Sequence, residues 1–165
     1  MKRIWAVLPL LLLVGATIGC DRVTKHVAAT TLSGSPGRSF LGNTVRLEYT
    51  ENTGAFLGLG ANWPSSLRVG VFTIGNALLL LVVVVAGIGR AWSRPALIGL
   101  ALLFAGGASN LVDRALRGSV IDFMNVGLGP LRTGIFNVAD VAILVGVSLV
   151  LLASHRSREH RNVTT

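Results

Sequence analysis

Residues 109–146 read SNLVDRALRGSVIDFMNVGLGPLRTGIFNVADVAILVG. The stretch carries three aspartates, Asp113, Asp122 and Asp140, and lies between two strongly apolar segments. An ionised carboxylate at the edge of a bilayer is costly unless it is paired or hydrated, so all three are functional candidates by position alone. Two carboxylates brought close together cannot both ionise readily, which is the basis of acid–base chemistry by an aspartate pair. The reading of the chain turns on whether Asp122 and Asp140 form such a pair.

The rest of the sequence sets the surroundings. The chain has 165 residues, 52% of them hydrophobic and 13% charged, against about 25% charged in a soluble domain. It reads as one integral membrane domain over residues 1–165. The net charge of +8 comes from basic residues that are scattered or sit beside apolar runs. That distribution argues against nucleic acid as a partner, which would need a basic patch on a soluble domain. The single cysteine, Cys20, rules out an internal disulfide and a multi-cysteine metal site.

Four segments are long and apolar enough to cross a bilayer, at about residues 4–20, 67–88, 95–112 and 135–153. Four spans put both termini on one side. That side holds Lys2, Arg3, Arg90, Arg94, Arg156, Arg158 and Arg161 with one acid, Glu159; the other holds eight basic residues and six acids. The basic counts nearly match, so orientation rests on the basic termini and on the short loop GRAWSR at 89–94. Both termini are read as cytoplasmic, and the acid cluster as extracytoplasmic. MKRIWAVLPLLLLVGATIGC at the N-terminus is laid out like a lipoprotein signal peptide. Thr17 and Ile18 are a poor lead into a cleaved Cys20, and three spans follow. A retained first helix is expected, with Cys20 as a small packing residue.

The first outer loop covers about residues 26–66. TTLSGSPGRSF at 30–40 is Gly/Ser/Pro punctuation. NTVRLEYTEN at 43–52 alternates, with Val45, Leu47 and Tyr49 on one face, and predicts a strand. TGAFLGLGANWP at 53–64 predicts an amphipathic piece on the membrane surface.

Polar residues recur at helical spacing near the span ends. Asp21 and Lys25 are i,i+4 at the end of the first span, most simply a helix-end ion pair. Asn110, Asp113 and Arg114 share a face at the end of the third, with Gly106 and Gly107 a turn earlier permitting close helix approach. Asn137 and Asp140 are i,i+3 at the start of the fourth, where Asn137 can also act as a helix cap. Asp113 is read with its neighbour Arg114 as a supporting group. Asp122 lies in a loop, flanked by Val120, Ile121 and Phe123. Neither Asp122 nor Asp140 has an adjacent basic residue, and the connection between them is long enough to bring both to one membrane surface. Such a pair could deprotonate a water with one member and protonate a carbonyl or a leaving amine with the other.

Other chemistries have less support. His155 and His160 lie on the opposite side from His26, and no HExxH pair or zinc triad is present, so neither metal nor cofactor is implied. Ser109 or Ser119 with Lys25 would be a weak Ser–Lys dyad. A small transport component with an acidic cation pathway is the non-enzymatic alternative. A structural membrane partner would leave the polar cluster without a task.

Four blocks together resemble a known family: DRVTK at 21–25, ENTGAFLG at 51–58, GGASNLVDRALRGSVIDF at 106–123 and FNVADVAILVG at 136–146. In order and placement they are similar to the lipoprotein signal peptidases (signal peptidase II). The resemblance implies an aspartic endopeptidase of the bacterial inner membrane that cuts prolipoprotein signal peptides before a diacylglyceryl-modified cysteine. It implies catalytic Asp122 and Asp140, substrate-binding Asn52, Gly54, Asn110, Arg114 and Asn137, and supporting Asp21, Lys25 and Asp113. It also implies four membrane helices with a small extracytoplasmic β-cradle and a surface helix, contact with membrane lipids, and inhibition by globomycin-type cyclic peptides. Ser109 departs from the family pattern, which has glycine or a larger residue there.

Overall fold

The structure is a computed structural model and describes residues 2–54, 63–89 and 92–163. Four helices, α1 (Lys2–Leu32), α2 (Ser65–Gly89), α3 (Arg94–Arg117) and α4 (Val138–Val163), are long and apolar enough to cross a membrane. Between them lie β1 (Arg38–Phe40) and β2 (Val45–Asn52) after α1, and β3 (Val120–Leu128) and β4 (Leu131–Arg132) after α3. These form one antiparallel sheet in the order β1-β2-β3-β4. Because the helices alternate in direction, both hairpins belong to the same end of the bundle. The surface segment expected from TGAFLGLGANWP falls largely on residues 55–62, outside the described residues; Trp63 stacks on Phe72 with ring centroids 5.9 Å apart.

The sequence reading ends the first span at Cys20 and starts the outer loop at residue 26, but α1 continues to Leu32. Hydropathy drops at Asp21, yet no Gly or Pro occurs between Asp21 and Leu32, so nothing breaks the helix. Thr24 and Thr31 fold their hydroxyls back onto the carbonyls of Cys20 and Val27, at 2.8 and 2.7 Å, which satisfies them within the helix. Asp21 and Lys25 therefore lie inside the helix and not at its end. Cys20 is exposed and not a packing residue. At 31 residues the helix is about 46 Å long, more than the ~30 Å of a hydrocarbon core. Its last turns support the sheet, where Ala28 and Leu32 bury Phe123 with Leu47, Tyr49, Met124 and Val138 packed around them.

Helix α3 is central and packs against the other three. Its contact with α4 is a seam of small residues. A Cβ on Gly99 would lie 2.7 Å from the Gly146 carbonyl oxygen, and one on Gly146 would lie 2.6 Å from that of Gly99. Two turns along, a Cβ on Gly106 would meet the carbonyl oxygen of Ala139 and lie 2.9 Å from Ile143 Cγ1. The backbones approach this closely only because no side chain stands between them. Gly107 faces the other way, toward Leu80 of α2. Gly118 then ends α3 with φ +73°, donating its amide to Arg114 O at 2.9 Å.

Gly106→Ala and Gly107→Ala should therefore differ. The first drives a methyl into backbone and should cost about 1–3 kcal/mol, whereas the second meets the movable end of a leucine and should cost less. Thermal unfolding in detergent, compared with the parent protein, checks the order.

Candidate active site

Helix α1 brings Asp21, Arg22 and Lys25 against Ser109, Asn110 and Asp113 of α3. The Lys25 ammonium is buried and lies 2.8 Å from Asp21 Oδ2, 2.8 Å from Asp113 Oδ2 and 2.8 Å from Asn110 Oδ1, to which it donates. One hydrogen bond and two ion pairs therefore surround the charge. Arg22 pairs with the other oxygen of Asp113. Two cations thus neutralise two carboxylates. The sequence reading assigns Asp113 to Arg114, but Arg114 instead donates to the Gly54 carbonyl at 3.1 Å. The tertiary approach of α1 decides the partner, and adjacency in sequence does not. Asp21 and Lys25 do form the expected i,i+4 pair.

Asp21 does more than neutralise Lys25. Its Oδ2 accepts from Ser109 Oγ at 2.6 Å and its Oδ1 from the Ala139 amide at 2.8 Å. That amide is one of the N-terminal donors of α4 that lack a partner within the helix. Asn137, just before α4, caps the same terminus: its Oδ1 accepts from the Asp140 amide at 2.9 Å, and Asp140 Oδ2 accepts from the Asn137 amide at 3.1 Å. This reciprocal pair is an Asn-x-x-Asp version of the capping box. It fixes the Asp140 side chain on the first turn.

Asp122 comes from β3, not from a loop as the sequence suggests. The Phe136 amide donates to Met124 O at 2.8 Å, and the Met124 amide donates to Phe136 O at 2.9 Å. Ile135 and Phe136, read as the start of the fourth span, therefore lie against the sheet and carry Asn137 to Asp122. Asn137 Nδ2 donates to Asp122 Oδ1 at 2.6 Å and lies 3.3 Å from Asn110 Oδ1. On β2, Thr50 pairs with Asp122, and Asn52 two residues on shares its face. Asn52 Nδ2 donates to Asp122 Oδ2 at 2.9 Å while its Oδ1 accepts the Gly54 amide at 3.0 Å.

Asp122 and Asp140 thus converge on one residue, Asn137. Asn110 also links the pair to the ion cluster, taking Lys25 on its oxygen and giving its amide to Asp140 Oδ1 at 2.9 Å. Among the described residues, Asp122 and Asp140 meet neutral donors, whereas Asp21 and Asp113 are ion-paired. Burial pushes the Asp122 carboxyl up to about 6, helped by the nearby Asp140 charge and opposed by the Asn52 and Asn137 hydrogen bonds. A carboxyl of this kind can hold a proton near neutral pH and give it up during a reaction.

The structure brings together every residue singled out in the sequence: Asp21, Lys25, Asn52, Gly54, Asn110, Asp113, Arg114, Asn137, Asp122 and Asp140. Sequence reasoning missed Arg22, counted only as charge, and the role of Ser109. The signal for Arg22 was its place one turn before Lys25 on the same helix. For Ser109 the signal was its adjacency to Asn110.

A family model described as signal peptidase (SPase) II matches residues 13–156. A lipoprotein signal peptidase from Staphylococcus haemolyticus is 30% identical, covering 93% of this chain and 94% of that protein. One from Moorella thermoacetica is 32% identical, covering 92% and 99%. A solved structure described as a bacterial membrane enzyme superposes with a TM-score of 0.80 at 26% identity, covering 92% of this chain and 90% of the other.

The Asp122 environment fixes a titration. The folded carboxyl keeps its proton up to about 6, above the ordinary 3.8. The stability this group contributes is full below the ordinary value and is lost as pH rises through about 6. Infrared difference spectra of the parent against Asp122→Asn should show a protonated-carboxyl band that titrates near 6. Asn52→Leu, which removes a donor to the carboxylate, should move that midpoint upward. A downward move would contradict the assignment.

Proposed function

The chain belongs to the signal peptidase II family, and from that premise we propose that it is an aspartic endopeptidase that removes signal peptides from prolipoproteins. The observation that carries the proposal is the shared Asn137, which hydrogen-bonds both Asp122 and Asp140 and so ties the two carboxylates into one unit. The whole chain acts as a single membrane-embedded unit. It lies in the bacterial inner membrane with both termini in the cytoplasm and the pair at the extracytoplasmic face. There a substrate held by its diacylglyceryl-modified cysteine would present the bond to be cut.

In the reaction, water lies between Asp122 and Asp140, which hold one proton between them. The ionised member takes a proton from the water as its oxygen bonds to the carbonyl carbon before the modified cysteine. The protonated member gives its proton to the carbonyl oxygen. The tetrahedral species collapses with cleavage of the C–N bond, and the cysteine amine leaves protonated by the pair. Asn52, Asn110 and Asn137 keep the pair aimed, and Arg114 and Gly54, bonded to one another, would orient the substrate backbone. Holding both reactants in the membrane lowers the cost of orienting them. Surrounding lipids keep the substrate's acyl chains in place, and globomycin-type peptides would compete with the substrate for the pair.

The cation-path alternative would need acids distributed through the membrane depth. Among the described residues, Asp21, Asp113, Asp122 and Asp140 are joined in one network at one end of the bundle. That arrangement supports chemistry at a surface.

The purified protein, reconstituted with a diacylglyceryl-modified preprolipoprotein, should release the signal peptide, and globomycin should block the release. Asp122→Asn and Asp140→Asn should each abolish cleavage while leaving the protein folded. More than about a tenth of the parent rate in either variant would overturn the pair.

A further inference from the structure

The outer end of the sheet has a task that the peptide-cleaving site does not explain. β2 runs antiparallel to β3, with Val45 opposite Val126 and the Gly127 amide donating to Thr44 O at 2.9 Å. The β1–β2 turn at 41–44 and the β3–β4 turn at 129–130 therefore lie side by side, at the end of the sheet away from Asp122. Arg132 joins them, its Nη1 donating to Asn43 O at 2.8 Å.

The two faces of this end differ. Directly paired residues share a face, so Phe40 with Val45 and Val126, and Leu128 with Leu131, form an apolar side. The other side holds Ser39, Asn43, Arg46, Asn125 and Arg132. Its membership is visible in hydrogen bonds from Ser39 Oγ and Arg46 Nε to Asn43 Oδ1, at 2.9 and 2.6 Å. The apolar side is largely uncovered, with Leu128 73% exposed, Leu131 82% and Phe40 47%, and Leu41 in the adjoining turn is 78% exposed. Leu41 has φ +53°, a left-handed backbone that glycine or asparagine adopts more readily. A leucine at that tip is not explained by the turn.

We propose that the two hairpin tips form an anchor in the surface of the bilayer, with the apolar side chains in the headgroup–acyl boundary and Arg38 and Arg46 reaching anionic lipid phosphates. Three facts select lipid over another occupant. Five residues link Leu32 to β1 and five link β4 to α4, which reach at most about 18 Å, so the tips stay near the ends of the spans. Val23 and Val27, on the part of α1 that leads into the sheet, are exposed apolar residues as well. The basic charge is complementary to anionic headgroups: Arg38 and Arg46 flank one recess with Ser39, Asn43 and a single acid, Glu48. Amphipathic elements of this composition settle at the bilayer interface. The anchor would hold the sheet, and with it Asn52 and Asp122, at a fixed height over the membrane.

The test uses the full chain with Cys20→Ser, carrying a nitroxide through Leu41→Cys, Leu131→Cys or Ser39→Cys. Each is reconstituted in phosphatidylcholine vesicles, with and without one third phosphatidylglycerol. Labels at 41 and 131 should be several-fold more accessible to oxygen than to an aqueous nickel chelate. The label at 39 should show the reverse. Labels at 41 and 131 should sit deeper with the anionic lipid, and Arg38→Gln with Arg46→Gln should remove that difference. Aqueous accessibility at 41 and 131 would overturn the anchor, and equal depth in both lipids would overturn the role of the arginines. Shielding from both reagents would mean that protein covers the face, and would also overturn it. The measurement needs no substrate, so its failure leaves the peptidase reading standing.

Discussion

The buried ammonium of Lys25 is the constraint on which the rest of this structure depends. A cation removed from water is costly unless partners replace its hydration. Lys25 finds all of them between α1 and α3, in Asp21, Asn110 and Asp113. The requirement fixes how those helices meet. It also fixes α4, because Asp21 spends its remaining oxygen on the Ala139 amide. Without the cation, Asp21 and Asp113 would be left as buried charges with only Arg22 to compensate them. The loss would then reach the N-terminus of α4 and the aspartate on its first turn.

The same arrangement separates acids by task. Four carboxylates lie within one network, and among the described residues two are neutralised by cations while two receive neutral donors. The second two, Asp122 and Asp140, are the pair proposed to carry the proton in the reaction. Asn137 suits its position better than an aspartate would. A cap needs only an acceptor, but this residue must also donate to Asp122, and a carboxylate has no N–H to give. An aspartate there would add a third acid charge beside the pair.

Much of this was legible in the sequence, for local reasons. Charge inside apolar sequence is expensive, so Asp140 and its neighbours stood out without any knowledge of their contacts. Alternation marked β2, and Gly106 and Gly107 marked a close helix contact. Other features depended on distant chain. Hydropathy falls at Asp21 although the helix does not end there, since the polar residues that follow are satisfied by α3 and by their own backbone. β3 is a strand because β2 and the Phe136 backbone pair with it; in isolation, SVIDFMN is only a short apolar run interrupted by an acid. The partner of Asp113 was misread because Arg114 is adjacent in sequence while Lys25 and Arg22 are adjacent in space.

The central claim is that Asp122 and Asp140 act as one unit on a single oxygen. A structure of the protein with a peptide analogue carrying a hydroxyl in place of the scissile carbonyl tests it most directly. That hydroxyl should lie within about 2.6–3.2 Å of a carboxyl oxygen from each aspartate, with Asn137 still bonded to both. A hydroxyl bound by one aspartate alone, with the other turned away, would contradict the account.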